Sequence, residues 1–245
     1  MEGYVEVTDV DLREGEVEED LQCKGLRILQ APGTYRFSSD SALLANFATC
    51  SAGEVGVELC AGSAVVSMLL AAKTPLRRIV AVELQASFAE RAARSVKRNG
   101  LEARVAVWQG DAVRCAEAFG CGTQDFVVVN PPYFRVGEGE MSEDAAVAMC
   151  RHETHITLRE VCQTAGKLLR FGGRMYIVYT ATRLAELFDE MKRAGIEPKK
   201  LVSIQPVPGR QADTVLVEGK RGGKRGMVVV NAVRGDLEAK YTTRE

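Results

Sequence analysis

The residues best suited to chemistry are Asn130-Pro131-Pro132-Tyr133, which follow an apolar run near the middle of the chain. Two consecutive prolines can neither continue a strand ladder nor start a helix inside a turn, so we expect a rigid loop. Its carbonyl oxygens lack neighbouring N–H donors. The Asn130 side-chain oxygen and the Pro131 carbonyl can therefore accept both hydrogens of one –NH2 group. An incidental Pro-Pro turn is the alternative interpretation.

A pair of such acceptors suits methylation of an amine whose lone pair is delocalised, as in adenine or a carboxamide. The acceptors favour the pyramidal, positively charged nitrogen of the transition state over the flat ground state. No general base is needed first, because the proton leaves after methyl transfer. Tyr133 offers a ring face for a base that has left its stack, an interaction of about 1–3 kcal/mol.

Acidic side chains close two further apolar runs. Glu83 ends one predicted strand, where a carboxylate can accept hydrogen bonds from ribose hydroxyls. Asp111 ends the next, where it could meet the amino group of a bound adenine or cap a helix. The turn from Glu58 to Ala64 is built of small residues that let a ligand approach the backbone closely. It does not read G-x-G-x-x-G, so a dinucleotide fingerprint is absent.

The elements that must position these residues alternate along the chain. Apolar runs at 55–60, 78–83, 103–108, 125–130 and 175–180 predict strands, with amphipathic helices between them and a capping box at Thr157 and Glu160. Further strands are predicted at 200–207, 214–218 and 227–230. The sequence therefore predicts an α/β fold: a Rossmann-like, doubly wound, mostly parallel sheet with an antiparallel C-terminal edge. Ligands bind at the carboxyl ends of such strands.

The amino-acid composition indicates the general class of protein. The 245 residues are 46% hydrophobic and 27% charged, which is typical of a soluble globular protein. The sequence has no apolar run long enough for a membrane span and no secretory signal at the start, and its seven cysteines form no C-x-x-C pair. We therefore expect reduced thiols and a cytoplasmic location.

The net charge of −1 divides unevenly along the chain. Residues 1–20 hold nine acids and one base, and the remaining 225 residues carry a net charge of +7. The acidic segment is interpreted either as a disordered tail or as a cap over part of a basic face. The late bases form either a phosphate-contacting surface or ordinary solvated charge; they are Lys192, Arg193, Lys199, Lys200, Arg210, Lys220, Arg221, Lys224 and Arg225.

A tempting metal motif runs from Arg151 to His155. Its two histidines, His152 and His155, are three residues apart, whereas H-E-x-x-H needs four. We predict no metal site, and a salt-bridged or substrate-facing loop instead.

Together these motifs resemble the class I S-adenosylmethionine (SAM)-dependent methyltransferases. Residues 130–133 are similar to the N/D-P-P-Y/F/W motif of amino-methyltransferases. The stretch 35–44 resembles the segment before the SAM site of bacterial tRNA1(Val) adenine-N6 methyltransferases. Residues 151–153, 216–218, 220–224 and 241–242 also fit that family. The resemblance covers residues 22–245, and the domain is predicted at 34–245 after an acidic extension at 1–33.

The resemblance implies methyl transfer from SAM to N6 of an adenine in RNA, with tRNA the expected substrate. It implies Asn130, Pro131, Pro132 and Tyr133 as catalytic residues. The implied SAM contacts come from five segments: Phe37, Ser39, Asp40, Glu58, Cys60, Ala61, Gly62, Glu83, Leu84, Asp111, Ala112 and Asn130. The implied substrate contacts are Tyr133, Arg135, Arg151, Lys220, Arg221 and Lys224.

One motif departs from the family pattern Asp-x-Gly-x-Gly-x-Gly. Glu58, Cys60 and Ala64 replace the aspartate and two glycines, and only Gly62 remains. Added side chains here are expected to crowd the SAM carboxylate or to tune its affinity.

Two other functions stay open. One is a protein glutamine-N5 methyltransferase. Such enzymes usually carry a sizeable helical N-terminal domain for their protein substrate, whereas only about fifty residues precede the first predicted strand here. The other is a non-catalytic SAM-fold protein that binds RNA.

Overall fold

A computed structural model describes residues 2–31, 37–132 and 156–235. Nine of the strands in these segments form one sheet, and two form a hairpin. The strands are β1 (Gly3–Tyr4), β2 (Val17–Asp20), β3 (Arg27–Gln30), β4 (Val55–Leu59), β5 (Arg78–Glu83), β6 (Val105–Gln109), β7 (Gln124–Val129), β8 (Leu169–Thr180), β9 (Ile196–Gln205), β10 (Thr214–Arg221) and β11 (Val228–Val233).

Helices cover both faces of the sheet. They are α1 (Ser39–Phe47), α2 (Val65–Lys73), α3 (Ala86–Arg98), α4 (Cys115–Phe119), α5 (Leu158–Leu168) and α6 (Leu184–Arg193). Two short 3-10 turns occupy Ala112–Arg114 and Ala181–Arg183. The capping box predicted at the start of α5 is present, with Thr157 and Glu160 each accepting from the other's backbone N–H. None of the helices described is long and apolar enough to cross a membrane.

The strand order of the large sheet is β1-β6-β5-β4-β7-β8-β10-β9-β11. Strands β6, β5, β4, β7 and β8 run parallel to one another. Strand β10 is antiparallel to both β8 and β9, and β11 returns parallel to β9. The prediction of a mostly parallel, doubly wound sheet with an antiparallel C-terminal edge is confirmed.

The centre of the sheet is buried on both faces. Along β7, Phe126 and Val128 pack into the core under α1, α2 and α3, while Val127 and Val129 pack into the core under α5. All four side chains have no exposed surface. This double burial explains why the strand is continuously apolar rather than alternating.

The N-terminal residues pack on the domain. Strand β1 pairs antiparallel with β6, and the β2–β3 hairpin lies against α3, where Ile28 and Leu29 are fully buried. We did not predict these strands. The predicted boundary between residues 33 and 34 falls in 32–36, outside the described residues.

Among the residues that the structure describes, the acidic N-terminal segment forms ion pairs with arginines of α3, and not with the basic residues between 192 and 225. Glu16 accepts hydrogen bonds from both terminal nitrogens of Arg94, at 2.6 and 2.8 Å, and from Arg91 at 3.2 Å. The hydrogen bond from buried Arg94 is the main cause that lowers the pKa of Glu16 to about 2. The prediction of a tail or a cap over the late basic residues is corrected, because the partner arginines lie on α3.

Candidate active site

The carboxyl ends of four parallel strands meet at one edge of the sheet. Leu59, the last residue of β4, pairs with Val82 on one side and with Val129 on the other. Glu83 pairs in turn with the last residue of β6. The turn after β4, the end of β5, the Asp111 turn and Asn130 therefore lie side by side, as the sequence predicted.

The turn after β4 keeps glycine-type backbone angles without most of the glycines. Its φ angles are +56° at Cys60, +53° at Gly62 and +57° at Ala64. For residues other than glycine this left-handed conformation costs roughly 1–2 kcal/mol each. A Cβ built on Gly62 would meet no heavy atom within 4 Å, so the turn has open space beside this residue.

The two replacement side chains differ in where they lie. Ala64 is fully buried in the core under α1 to α3, so its methyl group is occupied by packing there. Cys60 is half-buried and packs against the opposite core, under α5. The expected crowding of a ligand therefore does not arise from Ala64, and Cys60 remains the residue that could tune affinity.

Glu83 braces the same turn. One carboxylate oxygen accepts the N–H of Gly62 and the other accepts the N–H of Gln85, both at 2.8 Å. Burial raises the pKa of Glu83. Each oxygen has a second lone pair that suits a hydroxyl donor. Leu84, also predicted at the cofactor, is exposed beside it.

Glu58 lies inside the protein, beneath the turn. It is 2% exposed, and one of its oxygens accepts both the N–H (2.8 Å) and the hydroxyl of Ser67 in α2. Burial raises its pKa to about 7, against the lowering effect of the Ser67 hydrogen bonds. Its observed role is to fasten α2 to β4, and its direct contact with a cofactor stays a prediction.

Asp111 caps the 3-10 turn that follows β6. Its side chain accepts the N–H of Val113 at 2.9 Å, which confirms the capping interpretation. Ala112 beside it is buried. The contact between Asp111 and an adenine amino group stays a prediction.

Asn130 directly follows β7 and is held by α1. Its side-chain nitrogen donates to the hydroxyl of Ser41 at 3.1 Å. Because the amide carries its nitrogen and oxygen on opposite sides, this bond turns the oxygen away from Ser41. Pro131 is buried and Pro132 is half-buried. The structure thus joins a predicted catalytic residue to a helix that we had not predicted.

The first turn of α1 carries two further predicted residues. Ser39 and Asp40 both accept from Arg234, each at 2.8 Å, and Phe37 packs just before the helix. Neither Ser41 nor Arg234 was among the predicted site residues. Ser41 lay within the stretch 35–44 that carried the resemblance, whereas no local pattern marks Arg234.

The predicted basic contacts lie toward the amino ends of the parallel strands. Val129, the last residue of β7, is opposite Ile177 in β8, which in turn pairs with Val217 in β10. Lys220 lies three residues further along β10, about 10 Å from that level, and two strands away from β7. Arg221 donates to the carbonyl of Ala194, and Lys224 follows beyond. The contact of these three residues with the substrate stays a prediction.

Three other predicted residues, Tyr133, Arg135 and Arg151, lie outside the described residues, as do His152 and His155.

The chain matches the sequence profile of a known protein family. The sequence profile of the methyltransferase small domain family matches residues 32–194. The chain belongs to this family. The methyltransferase is similar in fold to a predicted O-methyltransferase from Agrobacterium tumefaciens, with a TM-score of 0.64 and 20% identity over 79% of this chain and 86% of that one. It is also similar in fold to M. jannaschii TYW2 in complex with AdoMet, with a TM-score of 0.58 and 14% identity over 85% and 86% of the two chains.

Curated relatives of the methyltransferase include enzymes with three different methyl acceptors in their names. A tRNA1(Val) (adenine(37)-N6)-methyltransferase from Aeromonas hydrophila is 23% identical over 84% of this chain and 86% of its own length. A release factor glutamine methyltransferase from Streptomyces coelicolor is 34% identical over 52% of the chain. A 4-amino-L-phenylalanine/4-methylamino-L-phenylalanine methyltransferase from Streptomyces pristinaespiralis is 32% identical over 54%. The aligned region spans 46% and 45% of the last two relatives.

S-adenosylmethionine is the cofactor of this methyltransferase. The residues at the strand ends suit it: open space beside Gly62 for a close approach to the backbone, and carboxylates at Glu83 and Asp111 for hydroxyl and amino donors.

Proposed function

We propose that this methyltransferase transfers a methyl group from SAM to the exocyclic N6 of an adenine in RNA, with tRNA as the substrate. The observation that carries the proposal is the position of Asn130 and Pro131. They follow a central strand, beside the turn after β4, and the Asn130 amide is oriented by Ser41.

The chain's own residues act on the amine that is to be methylated. The Asn130 side-chain oxygen and the Pro131 carbonyl accept its two hydrogens and hold the nitrogen in place. Both interactions strengthen as the nitrogen becomes pyramidal and positively charged, so they favour the transition state. Tyr133 would stack on the flipped base. Bound SAM supplies the electrophilic methyl group.

Other residues would hold the cofactor. Glu83, fixed between Gly62 and Gln85, is placed to accept from ribose hydroxyls, and Asp111 to accept from the adenine amino group. The backbone at Ala61 and Gly62 would lie closest to the ligand. The methionine end would lie near Phe37, Ser39 and Asp40.

The share of the chain that aligns with each kind of relative supports adenine over the other methyl acceptors. Adenine, glutamine amide and arylamine all present an –NH2 group conjugated to a π system, so the loop alone suits each of them. The adenine-N6 relative aligns over 84% of the chain, whereas the glutamine and arylamine relatives align over about half. We therefore propose RNA as the partner and the cytoplasm as the location, where tRNA is found.

A side-by-side transfer assay tests the proposal. Wild-type protein and Asn130→Ala are incubated with methyl-labelled SAM and, separately, with tRNA lacking the modification, release-factor protein and duplex DNA. Digestion of the tRNA should give labelled N6-methyladenosine with the wild type and far less of it with Asn130→Ala. Label in a glutamine of the protein substrate, with none in tRNA, would replace the proposal by the glutamine-N5 alternative. SAM binding without transfer to any substrate would support the non-catalytic alternative.

A further inference from the structure

Arg234 joins two distant parts of the methyltransferase at the edge that carries the site. It follows β11, and one terminal nitrogen donates to the Ser39 hydroxyl and to Asp40, each at 2.8 Å. The other donates to the Thr214 hydroxyl at 2.7 Å. We propose that Arg234 is a positioning residue for Asn130, acting through α1; the inference rests on the proposed role of Asn130 in methyl transfer.

The linkage runs through a single helical turn. Ser39, Asp40 and Ser41 are the first three residues of α1. The first two are held by Arg234, and the third accepts the hydrogen bond from the Asn130 amide. A shift of this turn would therefore shift Ser41 and with it the acceptor oxygen of Asn130.

The first turn of α1 is not fixed by its N-cap residue. Its N-cap, Ser38, makes no side-chain capping hydrogen bond. Such a cap typically contributes about 1 kcal/mol to helix stability. The ion pair between Arg234 and Asp40 instead fixes the turn from outside, and Asp40 also suits the positive end of the helix dipole.

The other end of the linkage is a rigid part of the sheet. Thr214 begins β10, is buried, and pairs with Thr180 at the carboxyl end of β8. The planar guanidinium reaches α1 with one nitrogen and β10 with the other, so it sets the distance between the two elements. An ammonium group can reach one of them but has no fork to span both.

The matched control is Arg98, which forms an ion pair with Glu18 in the β2–β3 hairpin. Its side chain is 34% exposed, against 21% for Arg234. Arg98 is the last residue of α3, which packs against β3 and β6. Arg98→Ala thus removes an arginine ion pair on a different helix.

The experiment compares Arg234→Ala, Arg234→Lys and Arg98→Ala in the full chain. Amide hydrogen exchange of the peptide covering 39–47 reports on α1 without any substrate. Arg234→Ala should raise exchange there about tenfold or more, Arg234→Lys should raise it less, and Arg98→Ala should leave it unchanged. In transfer assays at saturating SAM, kcat should fall in Arg234→Ala by no more than the loss of the Ser41 hydrogen bond accounts for, roughly 2- to 12-fold.

A double variant separates positioning from independent effects. Adding Arg234→Ala to Asn130→Ala should not lower kcat further, because the positioned group is already gone. Multiplied losses, or unchanged exchange in α1, would overturn the inference. If Arg234→Ala does not fold, Arg234→Lys carries the same comparisons. If the wild type methylates no RNA, the proposed function fails, while the exchange result still decides whether Arg234 holds α1.

Discussion

The side-chain amide of Asn130 donates to the hydroxyl of Ser41 across 3.1 Å, and this bond joins the loop after β7 to the helix α1. The bond determines which end of the amide points away from α1. An acceptor for an amine must present oxygen, so Ser41 serves the proposed chemistry by holding the nitrogen end.

Ser41→Ala should therefore reduce turnover without weakening SAM binding. Loss of one neutral hydrogen bond costs about 0.5–1.5 kcal/mol, which corresponds to a fall in kcat of roughly 2- to 12-fold. Steady-state kinetics together with calorimetry of SAM binding measure the two effects. Ser203→Ala, which removes a hydroxyl paired with Asn231 near the far edge, is the control. A loss confined to SAM affinity would contradict this role of Ser41.

Glu83→Gln should chiefly weaken the binding of SAM. The carboxylate accepts from Gly62 and Gln85, and a glutamine can accept with only one of its two ends. The turn loses a support and the proposed ribose acceptor is altered, so the SAM dissociation constant should rise about tenfold or more. At saturating SAM, kcat should change less than about threefold. Glu102→Gln, at an exposed position, is the control, and unchanged SAM affinity in Glu83→Gln would refute the assignment.

The left-handed backbone conformation of Cys60 leads to a separate prediction about the free energy of unfolding. At φ +56° a β-branched side chain is strongly disfavoured, whereas glycine is not strained. Cys60→Val should lower the free energy of unfolding by at least about 1 kcal/mol. Cys60→Gly should change it by less than about 1 kcal/mol, since relief of strain offsets the added freedom of the unfolded chain. Urea unfolding of both variants checks this, and equal destabilisation would contradict the left-handed conformation.

Glu58 predicts a pH dependence of stability. Burial raises its pKa from 4.5 to about 7, so the folded protein holds a proton that the unfolded chain releases. Its contribution to stability is full below pH 4.5 and is lost as pH rises through about 7, a change of about 3 kcal/mol. Glu58→Gln mimics the protonated form and should match the wild type near pH 4.5 but exceed it in stability at pH 8. Parallel stability curves for the two proteins would rule out the raised pKa.

The parallel core of the fold was predictable because its signals are local. Strand β7 is a continuous apolar run, α5 begins with its own capping box, and Asn130 follows its strand directly in sequence. Each of these can be recognised in fewer than a dozen neighbouring residues.

The rest depends on contacts between residues distant in sequence. Strand β2 reads VEED, and the β2–β3 hairpin is held against the arginines of α3 by ion pairs that no local pattern shows. Arg234 and Asp40 are 194 positions apart. Lys220 was assigned to the site from its position in a motif, but β10 runs antiparallel to β8 and places it toward the amino ends of the parallel strands.

The proposed methyl transfer depends most on Asn130, and substitution of this residue gives the most direct test. Transfer rates and SAM affinity are measured for the wild type, Asn130→Ala and Asn130→Asp with unmodified tRNA. We expect Asn130→Ala to lower kcat about 100- to 1,000-fold with SAM affinity within about threefold of the wild type, and Asn130→Asp, which keeps an acceptor oxygen, to retain measurable turnover. Equal losses of turnover and SAM affinity in Asn130→Ala, or unchanged turnover, would contradict the role of Asn130 as the acceptor for the amine.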